Sequence, residues 1–594
     1  IVSTTLASLL LLSALLILVP RVSRLVVLLW VDLALTLLAI ASFLHYRFFG
    51  DVLSISDLYV AHQLPVVVPS IVRQLHPIDA LYILELVAGI LILPGYVLAC
   101  RRRPALGRTA TRRLSLGVLV SALVLALPTV LLVRQDKDDI FAQSTLRYEV
   151  ASTIGILPYH LFDAALSLGS GARHVGPEEL RRVGGLLDEQ RSPSPSELFG
   201  SAGGRNVILI SLESLQAFPI GLEVNGQPIA PRLAALARES LYFENFHDQT
   251  HLGTTSDAEF MALNSLHPLP ARALANKHLD NHFHALPAIL GERGYATAST
   301  VASPGGIWQM DRLHPRYGFQ RSYFEDSYTI GEHFGEWASD REFFSQAVPI
   351  LEAQPEPFMT FMLSSANHHP YPIPEHHRML DLGELEGTLL GDYLQSAHFL
   401  DRALGEFVDT LRERGLLDRS VLVLYGDHHG FLGDSPEVAR LLGFPERSEF
   451  DHLRTRKRVP FLIRLPHGEA AGVRDVTAGH LDIAPTILSL LGVTAEDRVM
   501  LGRDLTGDRP SLVVFRDGSF ADGAHYFVNR LGPISAATCY EAATGQAVDC
   551  QPLAERRLEA RRRLEASDLI IEGDLIPSLA ARRDRHPVLA GSAP

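Results

Sequence analysis

The chain has 594 residues, of which 47% are hydrophobic, and this length exceeds one ordinary domain. Its formal net charge of −14 argues against general nucleic-acid binding. The apolar residues are concentrated in the first part of the chain, which indicates a membrane segment followed by a soluble region long enough to bury a large core.

Four apolar spans near the start of the chain approach the length that a helix needs to cross a bilayer. They occupy residues 6–20, 25–43, 78–99 and 114–133. The first span is short and begins almost at residue 1, with no Met and no charged residue before it. We therefore expect the chain to be truncated and a further helix to precede it.

The positions of the arginines indicate how these spans are oriented. Arg21 and Arg24 lie between the first two spans, and six arginines at 101–113 lie between the third and the fourth. By the positive-inside rule both short loops are cytoplasmic, so the chain after residue 133 lies outside. Nucleic-acid binding by the arginine-rich loop is a disfavoured alternative, because the loop joins two membrane spans.

Composition divides the rest of the chain. Residues 146–168 have an amphipathic helical pattern, and the Ser/Pro-rich residues 191–196 are typical of a linker. Cys539 and Cys550 flank a predicted turn, and a disulfide there would fit an extracytoplasmic domain, although spacing leaves the bond open. We predict a transmembrane helical domain, a helical linker, a soluble α/β domain and a C-terminal helical tail, at residues 1–134, 135–204, 205–550 and 551–594.

Apolar, β-rich runs alternate with helical patterns in the soluble domain. The predicted strands are residues 206–211, 296–301, 358–363, 421–425 and 459–464, and the helical patterns are residues 233–240, 286–293, 340–351 and 393–414. This alternation predicts a mainly parallel sheet covered by helices on both faces. Ligands of such sheets bind beyond the carboxyl ends of the strands.

Two of these strands end in residues that suit a metal ion. Glu213 follows the first strand, and Asp427 and His428 follow the fourth after Gly426, a residue that permits a tight turn. With a threonine oxygen they would form an O/O/O/N site for Mn²⁺, Mg²⁺ or Zn²⁺. Taken singly, Glu213 is equally suited to cap a helix, and the Asp-His-His run to form a solvated turn.

Residues 251–260, His-Leu-Gly-Thr-Thr-Ser-Asp-Ala-Glu-Phe, place two adjacent threonines where a loop enters a helix. Backbone N–H groups and the helix dipole favour anionic ligands at such a junction, so Thr254 or Thr255 is a candidate nucleophile. The alternative is a capped helix with Asp257 and Glu259 in its first turn.

Two more histidine motifs are candidates for the site. His368 and His369 follow the strand at 358–363, where a histidine can bind a phosphate oxygen or protonate a leaving alkoxide. Because Pro370 restricts His369, the two side chains should point in different directions and only one should face the site. His480 lies close to Pro485 at a helix start, so a role in entering the helix is favoured over contact with metal or substrate.

The order of these motifs resembles the lipoteichoic acid synthase and phosphoglycerol transferase family of the alkaline phosphatase/sulfatase superfamily. The five segments are strand-Glu at 206–213, Gly-x-Thr-Ser-Asp-x-Glu at 253–259, Asn-His-x-Pro-aromatic at 367–371, Tyr-Gly-Asp-His at 425–428 and Asp-Ile-x-Pro-Thr at 482–486. Residues 395–404, 458–461 and 514–518 and the multi-helix anchor extend the resemblance to nearly the whole chain.

The resemblance implies an α-helical transmembrane anchor and an α/β sulfatase-like domain of the alkaline phosphatase type, with a mainly parallel sheet. It implies a multi-pass protein of the bacterial cytoplasmic (inner) membrane whose catalytic domain is periplasmic. It also implies that Thr255 is the nucleophile, since binding to a dication lowers the pKa of a hydroxyl and aims it at phosphorus. The ligands of one divalent ion, usually manganese, would be Glu213, Thr255, Asp427 and His428.

The reaction implied by the resemblance has two steps. Thr255 attacks the phosphodiester of a phospholipid such as phosphatidylglycerol, and diacylglycerol leaves. A hydroxyl of a polyglycerolphosphate or glucan acceptor then resolves the phospho-threonine. The residues expected to contact substrate are His368, Trp308, Arg312 and His480.

The head-group region departs from the family pattern. Val301 and Met310 stand where the family has a His and an Arg, although Arg312 or Arg316 would restore a cation. A phosphoethanolamine transferase or a metal-dependent phosphodiesterase is therefore an alternative, and a non-enzymatic receptor or scaffold is another. An arylsulfatase is disfavoured because Thr255 does not lie in the Cys/Ser-x-Pro-x-Arg setting. The sequence leaves the acceptor, the metal and the oligomeric state open.

Overall fold

A computed structural model describes two compact units. They comprise Ile1–Ser170 with Arg530–Ala536, and Gly171–Asn529 with Ala537–Pro594. The described residues are 2–49, 51–55, 57, 68, 71–72, 75–102, 107–135, 147–169, 175–190, 196–270, 273–432, 435–494 and 498–585. Most of the predicted linker at 191–196 and the end of the predicted C-terminal tail lie outside these residues.

The first unit is helical. Its helices are α1 (Val2–Leu18), α2 (Arg21–Phe49), α3 (Leu84–Arg102, preceded by the 3-10 turn Pro77–Ile83), α4 (Arg108–Gln135), α5 (Arg147–Ile154) and α6 (Ile156–Gly169). Helix α1 packs along α4, where the Ser115 hydroxyl donates to the Ala14 carbonyl at 2.8 Å. The predicted helical stretch at 146–168 is thus two helices, with Gly155 between them at a φ of +92°.

Among the described residues of this unit, three helices are long and apolar enough to cross a membrane. They comprise Arg21–Arg47, Pro77–Arg102 and Arg108–Pro128. The first predicted span corresponds to a shorter apolar helix, Ser3–Leu18. Leucines and isoleucines such as Ile90, Leu91 and Leu123 are exposed on these helices, as expected for side chains that face lipid.

The second unit is built on strands β1 to β19. In chain order they are Asn206–Leu212, Glu223–Val224, Gln227–Pro228, Leu241–Tyr242, Phe246–His247, Ala296–Val301, Arg321–Tyr323, His333–Phe334, Trp337–Ala338, Phe358–Leu363, Ser420–Gly426, Phe461–Arg464, Gly472–Val473, Ala478–Gly479, Val513–Val514, Phe520–Ala521, His525–Val528, Thr538–Glu541 and Ala547–Val548. Eight of them form the main sheet, in the order β13-β4-β12-β11-β1-β10-β6-β7.

The centre of the main sheet is parallel. Strand β1 pairs in parallel with β10 and β11, and β6 pairs in parallel with β10 and β7. Strand β12, which begins after Pro460, runs antiparallel to β11 and β4. The prediction of a mainly parallel sheet is confirmed, and the carboxyl ends of β1, β10 and β11 lie side by side.

Helices cover both faces of this sheet. The helices of the second unit are α7 (Pro177–Glu189), α8 (Pro231–Arg238), α9 (Thr254–Asn264), α10 (Leu286–Gly291), α11 (Met310–Tyr317), α12 (Asp340–Glu352), α13 (Leu389–Glu413), α14 (Pro436–Leu442), α15 (Glu449–Lys457), α16 (Ile483–Leu490), α17 (Ala554–Glu572) and α18 (Ile576–Arg585). Val207 and Leu209 of β1 pack in one apolar cluster with α9 and α16, whereas Ile208 and Ile210 pack in another with α12 and α13. Because both faces of β1 are buried, its sequence is continuously apolar.

The compact unit extends beyond the predicted domain of residues 205–550. Val183 and Leu186 of α7 share the first apolar cluster with Leu569 and Ile570 of α17. Both helices join the unit because each has an apolar face that it buries there. The predicted domain boundaries themselves stay a prediction.

A smaller antiparallel sheet, β15-β16-β17-β18-β19, completes the second unit. Cys539 of β18 and Cys550 after β19 form a disulfide with an S–S distance of 2.07 Å. The bond closes the β18–β19 hairpin around the predicted turn, where Gly545 has a φ of +71°. The bond that spacing left open is therefore formed.

Candidate active site

Glu213 directly follows β1 and lies beside the carboxyl end of β10. Its backbone N–H donates to the Ser364 hydroxyl at 2.9 Å, and its carbonyl accepts from Asn367 Nδ2 at 2.9 Å. The Ser214 hydroxyl donates to Glu213 Oε1 at 2.8 Å. These bonds fix a carboxylate that is only 3% exposed. Glu213 is therefore a buried, oriented acid and not the solvated helix cap that its position also allowed.

Asp427 and His428 follow the adjacent strand β11, whose last residue, Gly426, pairs with Leu212 of β1. Asp427 Oδ1 accepts from the backbone N–H groups of Ser214 at 2.7 Å and His428 at 2.6 Å. Asp427 Oδ2 is buried and receives no hydrogen bond from the described residues. The carboxyl-end edge of the sheet thus presents a carboxylate oxygen that still requires a partner.

His428 turns its Nε2 atom toward both acids. Its Nδ1 lies 2.9 Å from the carbonyl of His429, so that Nδ1–H donates and Nε2 faces the site. Nε2 lies 3.4 Å from Glu213 Oε1 and 3.6 Å from Asp427 Oδ2. The parallel register of β1 and β11 brings these three side chains together.

Thr255 completes the group from the amino-terminal turn of α9. Its Oγ1 lies 3.3 Å from Glu213 Oε2 and 3.3 Å from His428 Nε2. Asp257 turns back to accept from the backbone N–H of Gly253 at 2.9 Å, and a Cβ at Gly253 would lie 2.1 Å from that carboxylate. Between the two adjacent threonines, the geometry brings the hydroxyl of Thr255 to the acids.

The electrostatics of this group favour a cation. Burial would lower the pKa of His428, yet Asp427 and Glu213 raise it to about 10. Burial would raise the pKa of Glu213, but His428 holds it at about 2. Burial and the charge of Glu213 raise the pKa of Asp427 well above its ordinary value. Two carboxylates thus compete for one positive charge in a site closed to water.

The same residues fit a divalent metal ion. Ligand atoms of Glu213, Asp427 and His428 all lie within 4.8 Å of one another, and Thr255 Oγ1 lies against two of them. Three oxygens and one nitrogen suit Mn²⁺, Mg²⁺ or Zn²⁺. A dication would also satisfy the unpaired Oδ2 of Asp427. The types of donor atom, their burial and the Asp427 oxygen that lacks a hydrogen bond therefore all fit a divalent metal ion.

His368 borders the site from the loop after β10. Its Nδ1 lies 2.8 Å from the carbonyl of His369, and no hydrogen bond from another described residue reaches its Nε2. Burial lowers the pKa of His368, which the nearby carboxylate of Glu213 only partly offsets. His369 is only 2% exposed, whereas His368 is partly exposed.

Trp337 is a residue that the sequence did not single out. It lies in the hairpin β8–β9, and its ring centroid is 4.3 Å from that of His368. The two rings form one wall beside the metal-ligand group. Trp337 belongs to no motif of its own, so only the pairing of β8 with β9 reveals it.

Two positions of the predicted head-group region lie in the core. Val301 is 0% exposed and Met310 is 2% exposed, both within the apolar cluster. Trp308 packs against the same cluster. Arg312 is exposed and donates to Gln309 Oε1 at 2.9 Å. Among the described residues, no hydrogen bond or ion pair connects Trp308 or Arg312 to the metal-ligand group.

His480 is fully buried and engaged at both ring nitrogens. Its Nε2 donates to the carbonyl of Gly426 at 2.9 Å, and its Nδ1 accepts from the N–H of Gln249 at 3.3 Å. Burial lowers its pKa to about 4, which keeps the ring neutral. This arrangement favours a positioning role for His480, behind Asp427, over the predicted substrate contact. Gly426 itself requires no unusual φ; a Cβ there would lie 2.2 Å from the carbonyl of Leu215.

A second network that the sequence did not reveal holds the loop after His428. His429 Nδ1 donates to Asp248 Oδ2 at 2.8 Å, and the Thr250 hydroxyl donates to Asp248 Oδ1 at 2.6 Å. Burial would raise the pKa of Asp248, but Lys457 and His429 hold it well below its ordinary value. The second histidine of the Asp-His-His run therefore supports the site from outside it.

Two family models match the chain. The lipoteichoic acid synthase N-terminal domain matches residues 1–175, and the sulfatase domain matches residues 205–493. Lipoteichoic acid synthase 2 of Bacillus subtilis is 30% identical over 563 residues, which cover 91% of this chain and 83% of the relative. The lipoteichoic acid synthase-like YvgJ of the same organism is 30% identical and is covered to 87%.

Solved structures resemble the second unit. The lipoteichoic acid synthase LtaP from Listeria monocytogenes superposes with a TM-score of 0.61 at 28% identity, covering 66% of this chain and 98% of that one. A protein of the alkaline phosphatase superfamily from Vibrio parahaemolyticus superposes with a TM-score of 0.52 at 20% identity, covering 68% of this chain and 97% of that one, and supports the fold alone.

Proposed function

Because the chain belongs to the lipoteichoic acid synthase family, whose members are membrane-anchored phosphoglycerol transferases of the sulfatase superfamily, we propose that it transfers the head group of an anionic phospholipid. The proposed donor is phosphatidylglycerol. The proposed acceptor is a hydroxyl of a polyglycerolphosphate or of a cell-envelope glucan. The group is carried between them as a phospho-threonine at Thr255.

The observation that carries this proposal is that the side chains of Glu213 and His428 both lie against the hydroxyl of Thr255. Its hydroxyl lies 3.3 Å from Glu213 and 3.3 Å from His428, at the amino-terminal end of α9. The N–H groups and dipole of this helix end favour a phosphate. A scaffold without activity would have no need of a buried carboxylate oxygen that lacks a hydrogen bond, which Asp427 Oδ2 is among the described residues.

The proposed metal ligands are Glu213, Thr255, Asp427 and His428. A divalent ion bound there, proposed to be Mn²⁺ with Mg²⁺ or Zn²⁺ as alternatives, would lower the pKa of the threonine hydroxyl and neutralise charge on the phosphate. Ser214, Ser364 and Asn367 keep Glu213 oriented for this role.

The proton balance assigns a role to His368. In the first step Oγ1 of Thr255 forms a bond to phosphorus, the bond to the diacylglycerol oxygen breaks, and the threonine proton must reach that oxygen. In the second step the acceptor oxygen displaces Thr255 and its proton returns to Oγ1. A neutral His368, with Nδ1–H held by the His369 carbonyl, has Nε2 to accept and release this proton.

We propose a bacterial cytoplasmic membrane protein with its second unit outside. The apolar helices would hold the unit near lipid head groups. The Cys539–Cys550 disulfide supports an extracytoplasmic environment, because such bonds are rare in the cytoplasm. The six arginines at residues 101–113, at the end of α3, the start of α4 and between them, support a cytoplasmic position for this turn of the chain.

A second function is favoured by one observation. Val301 and Met310, which replace a His and an Arg of the family pattern, are buried in the apolar core. They supply no cation for a phosphoglycerol, and Arg312 is engaged with Gln309. A phosphoethanolamine transferase or a phosphodiesterase is therefore the second candidate. For the phosphoglycerol transferase, the first candidate, Trp308 and Arg312 remain the proposed head-group contacts.

The test uses the full chain in vesicles that contain labelled phosphatidylglycerol or labelled phosphatidylethanolamine. We expect diacylglycerol release from phosphatidylglycerol, and mass spectrometry should find a glycerolphosphate adduct on Thr255. Thr255→Ala should lose both signals, whereas the adjacent Thr254→Ala serves as a matched control and should retain them. Equal release by Thr255→Ala would exclude the proposal. Release from phosphatidylethanolamine alone would support the second candidate.

A further inference from the structure

A second group of metal-ligating side chains lies outside the proposed catalytic centre. His376 Nε2 lies 2.7 Å from Glu332 Oε1, and His377 Nε2 lies 2.8 Å from Glu332 Oε2. The ring centroids of the two histidines are 4.3 Å apart. Ligand atoms of all three residues lie within 4.8 Å of one another. We call these residues the hairpin cluster.

The histidines of the hairpin cluster are held by a rigid segment. They lie in the 3-10 turn Glu375–His377, which follows Pro374. The ring of His377 packs against Phe334 and Phe399, with centroids 5.4 and 4.7 Å away. Directly after the turn, both terminal nitrogens of Arg378 donate to Asp392 at 3.0 Å. His377 therefore keeps its orientation without a ligand.

Glu332 is oriented independently from the other side. Its N–H donates to Glu342 at 3.1 Å, and its carbonyl accepts from the N–H of Ser339 at 3.0 Å. These bonds close the hairpin that contains β8 and β9. Preorganised ligands lower the cost of binding, because less side-chain freedom is lost when the ion enters.

We propose that Glu332, His376 and His377 bind a second divalent ion, for which Zn²⁺ is the best fit. Two imidazole nitrogens and one carboxylate are a ligand set that zinc accepts, with a fourth position left for water. Mg²⁺ and Ca²⁺ prefer oxygen ligands and are disfavoured by the two nitrogens. The competing arrangement is a hydrogen-bonded trio in which both imidazoles donate to the carboxylate.

An ion at this position would join two segments that border the active site. The hairpin that contains Glu332 also contains Trp337, whose ring lies against His368. The loop that contains His376 and His377 also contains His368, directly after β10. The ion would therefore link the hairpin that contains Trp337 to the loop that contains His368. Since the proposal concerns binding, its failure would leave the transfer reaction untouched.

The test measures zinc bound to the full chain. The detergent-purified protein is stripped of metal, dialysed against Zn²⁺ and analysed by mass spectrometry for zinc per chain. We expect about two zinc ions in the wild type and about one in Glu213→Gln, which retains the hairpin cluster. Glu332→Gln and His376→Gln should also hold about one. His376 is 68% exposed, so its replacement should leave the fold intact.

His333→Gln is the matched control. His333 lies on the same hairpin, outside the hairpin cluster, with Nε2 3.4 Å from Glu325 Oε1. This variant should bind as much zinc as the wild type. In calorimetry, His376→Gln should weaken the second site by at least about tenfold, since even outer residues of metal sites cost that much. A Glu332→Gln or His376→Gln variant that binds as much zinc as the wild type would overturn the proposal, and so would a wild type whose single zinc ion is lost in Glu213→Gln.

Discussion

Replacing Gly426 by alanine should disable the proposed metal site without unfolding the chain. A Cβ at this position would lie 2.2 Å from the carbonyl oxygen of Leu215 and 2.8 Å from the ring of Pro460. Ordinary contacts require the backbone to shift by roughly 1 Å. Either the end of β11 or the turn after Glu213 must move. The first leads directly to the proposed ligand Asp427, and the second follows directly on the proposed ligand Glu213.

The expected loss of metal affinity and of rate in Gly426→Ala follows from how little metal sites tolerate displaced ligands. Metal–ligand distances vary by only about 0.2 Å, and a misplacement of about 1 Å near reacting groups costs about 100-fold in rate. Overpacking of this kind costs about 1–3 kcal/mol of stability, which a folded domain survives. We therefore expect metal affinity to fall at least about tenfold and head-group transfer to fall about 100-fold.

The assay compares Gly426→Ala with Gly185→Ala in the full chain. Gly185 lies in α7, where an added Cβ meets no atom within 4 Å. Calorimetry with Mn²⁺ and release of labelled diacylglycerol measure the two effects, and thermal unfolding verifies that both variants fold. If Gly426→Ala binds Mn²⁺ and turns over like the wild type, the argument that this glycine positions the ligands is wrong.

Three further predictions concern pH, the disulfide and the metal. Burial raises the pKa of Asp340 to about 7, above its ordinary value, so its contribution to stability is present below about pH 4 and is lost as pH rises through 7. Asp340→Asn should reduce the fall of the thermal unfolding midpoint between pH 4 and 8, to which Asp257 also contributes because burial raises its pKa to about 7, and an unchanged fall would contradict the assignment. Replacing Cys539 and Cys550 by serine should lower the free energy of unfolding by about 3 kcal/mol in denaturant titrations, because the bond closes a short loop, whereas Cys100→Ser should have little effect. A chelator should abolish diacylglycerol release, and added Mn²⁺ should restore it in the wild type but not in Asp427→Asn; restoration in that variant would argue against Asp427 as a ligand.

Much of the second unit was predictable because its strand-forming sequences are also the segments that the fold buries in the sheet. Four of the five predicted strands match observed strands within one residue at either end. Because helices cover both sides of the sheet, the strands at 206–211, 358–363 and 421–425 are mainly apolar on both faces, and this pattern can be recognised without a structure. The fifth, at 459–464, was placed too early, because β12 begins only after Pro460.

Residues that follow strands were also predictable as a set. Glu213 and Asp427 are acids directly after buried strands, and parallel neighbours bring such positions together. The local residue pattern could not distinguish Thr254 from Thr255, since both lie at the start of the same helix, and only the family resemblance selected Thr255. The choice depends on the path of the chain through Gly253, where Asp257 folds back onto the backbone.

The sequence by itself thus determined the order of the motifs along the chain, the mainly parallel sheet and the residue types of a candidate metal site. These properties depend on local propensity and on the alternation of apolar runs, which are written along the chain. Only the tertiary structure decided that His480 bonds to backbone, that Val301 and Met310 are buried, that Trp337 lies against His368, and that Glu332 meets His376 and His377. Those facts depend on contacts between distant segments, and no periodicity within one segment records which segment packs against it.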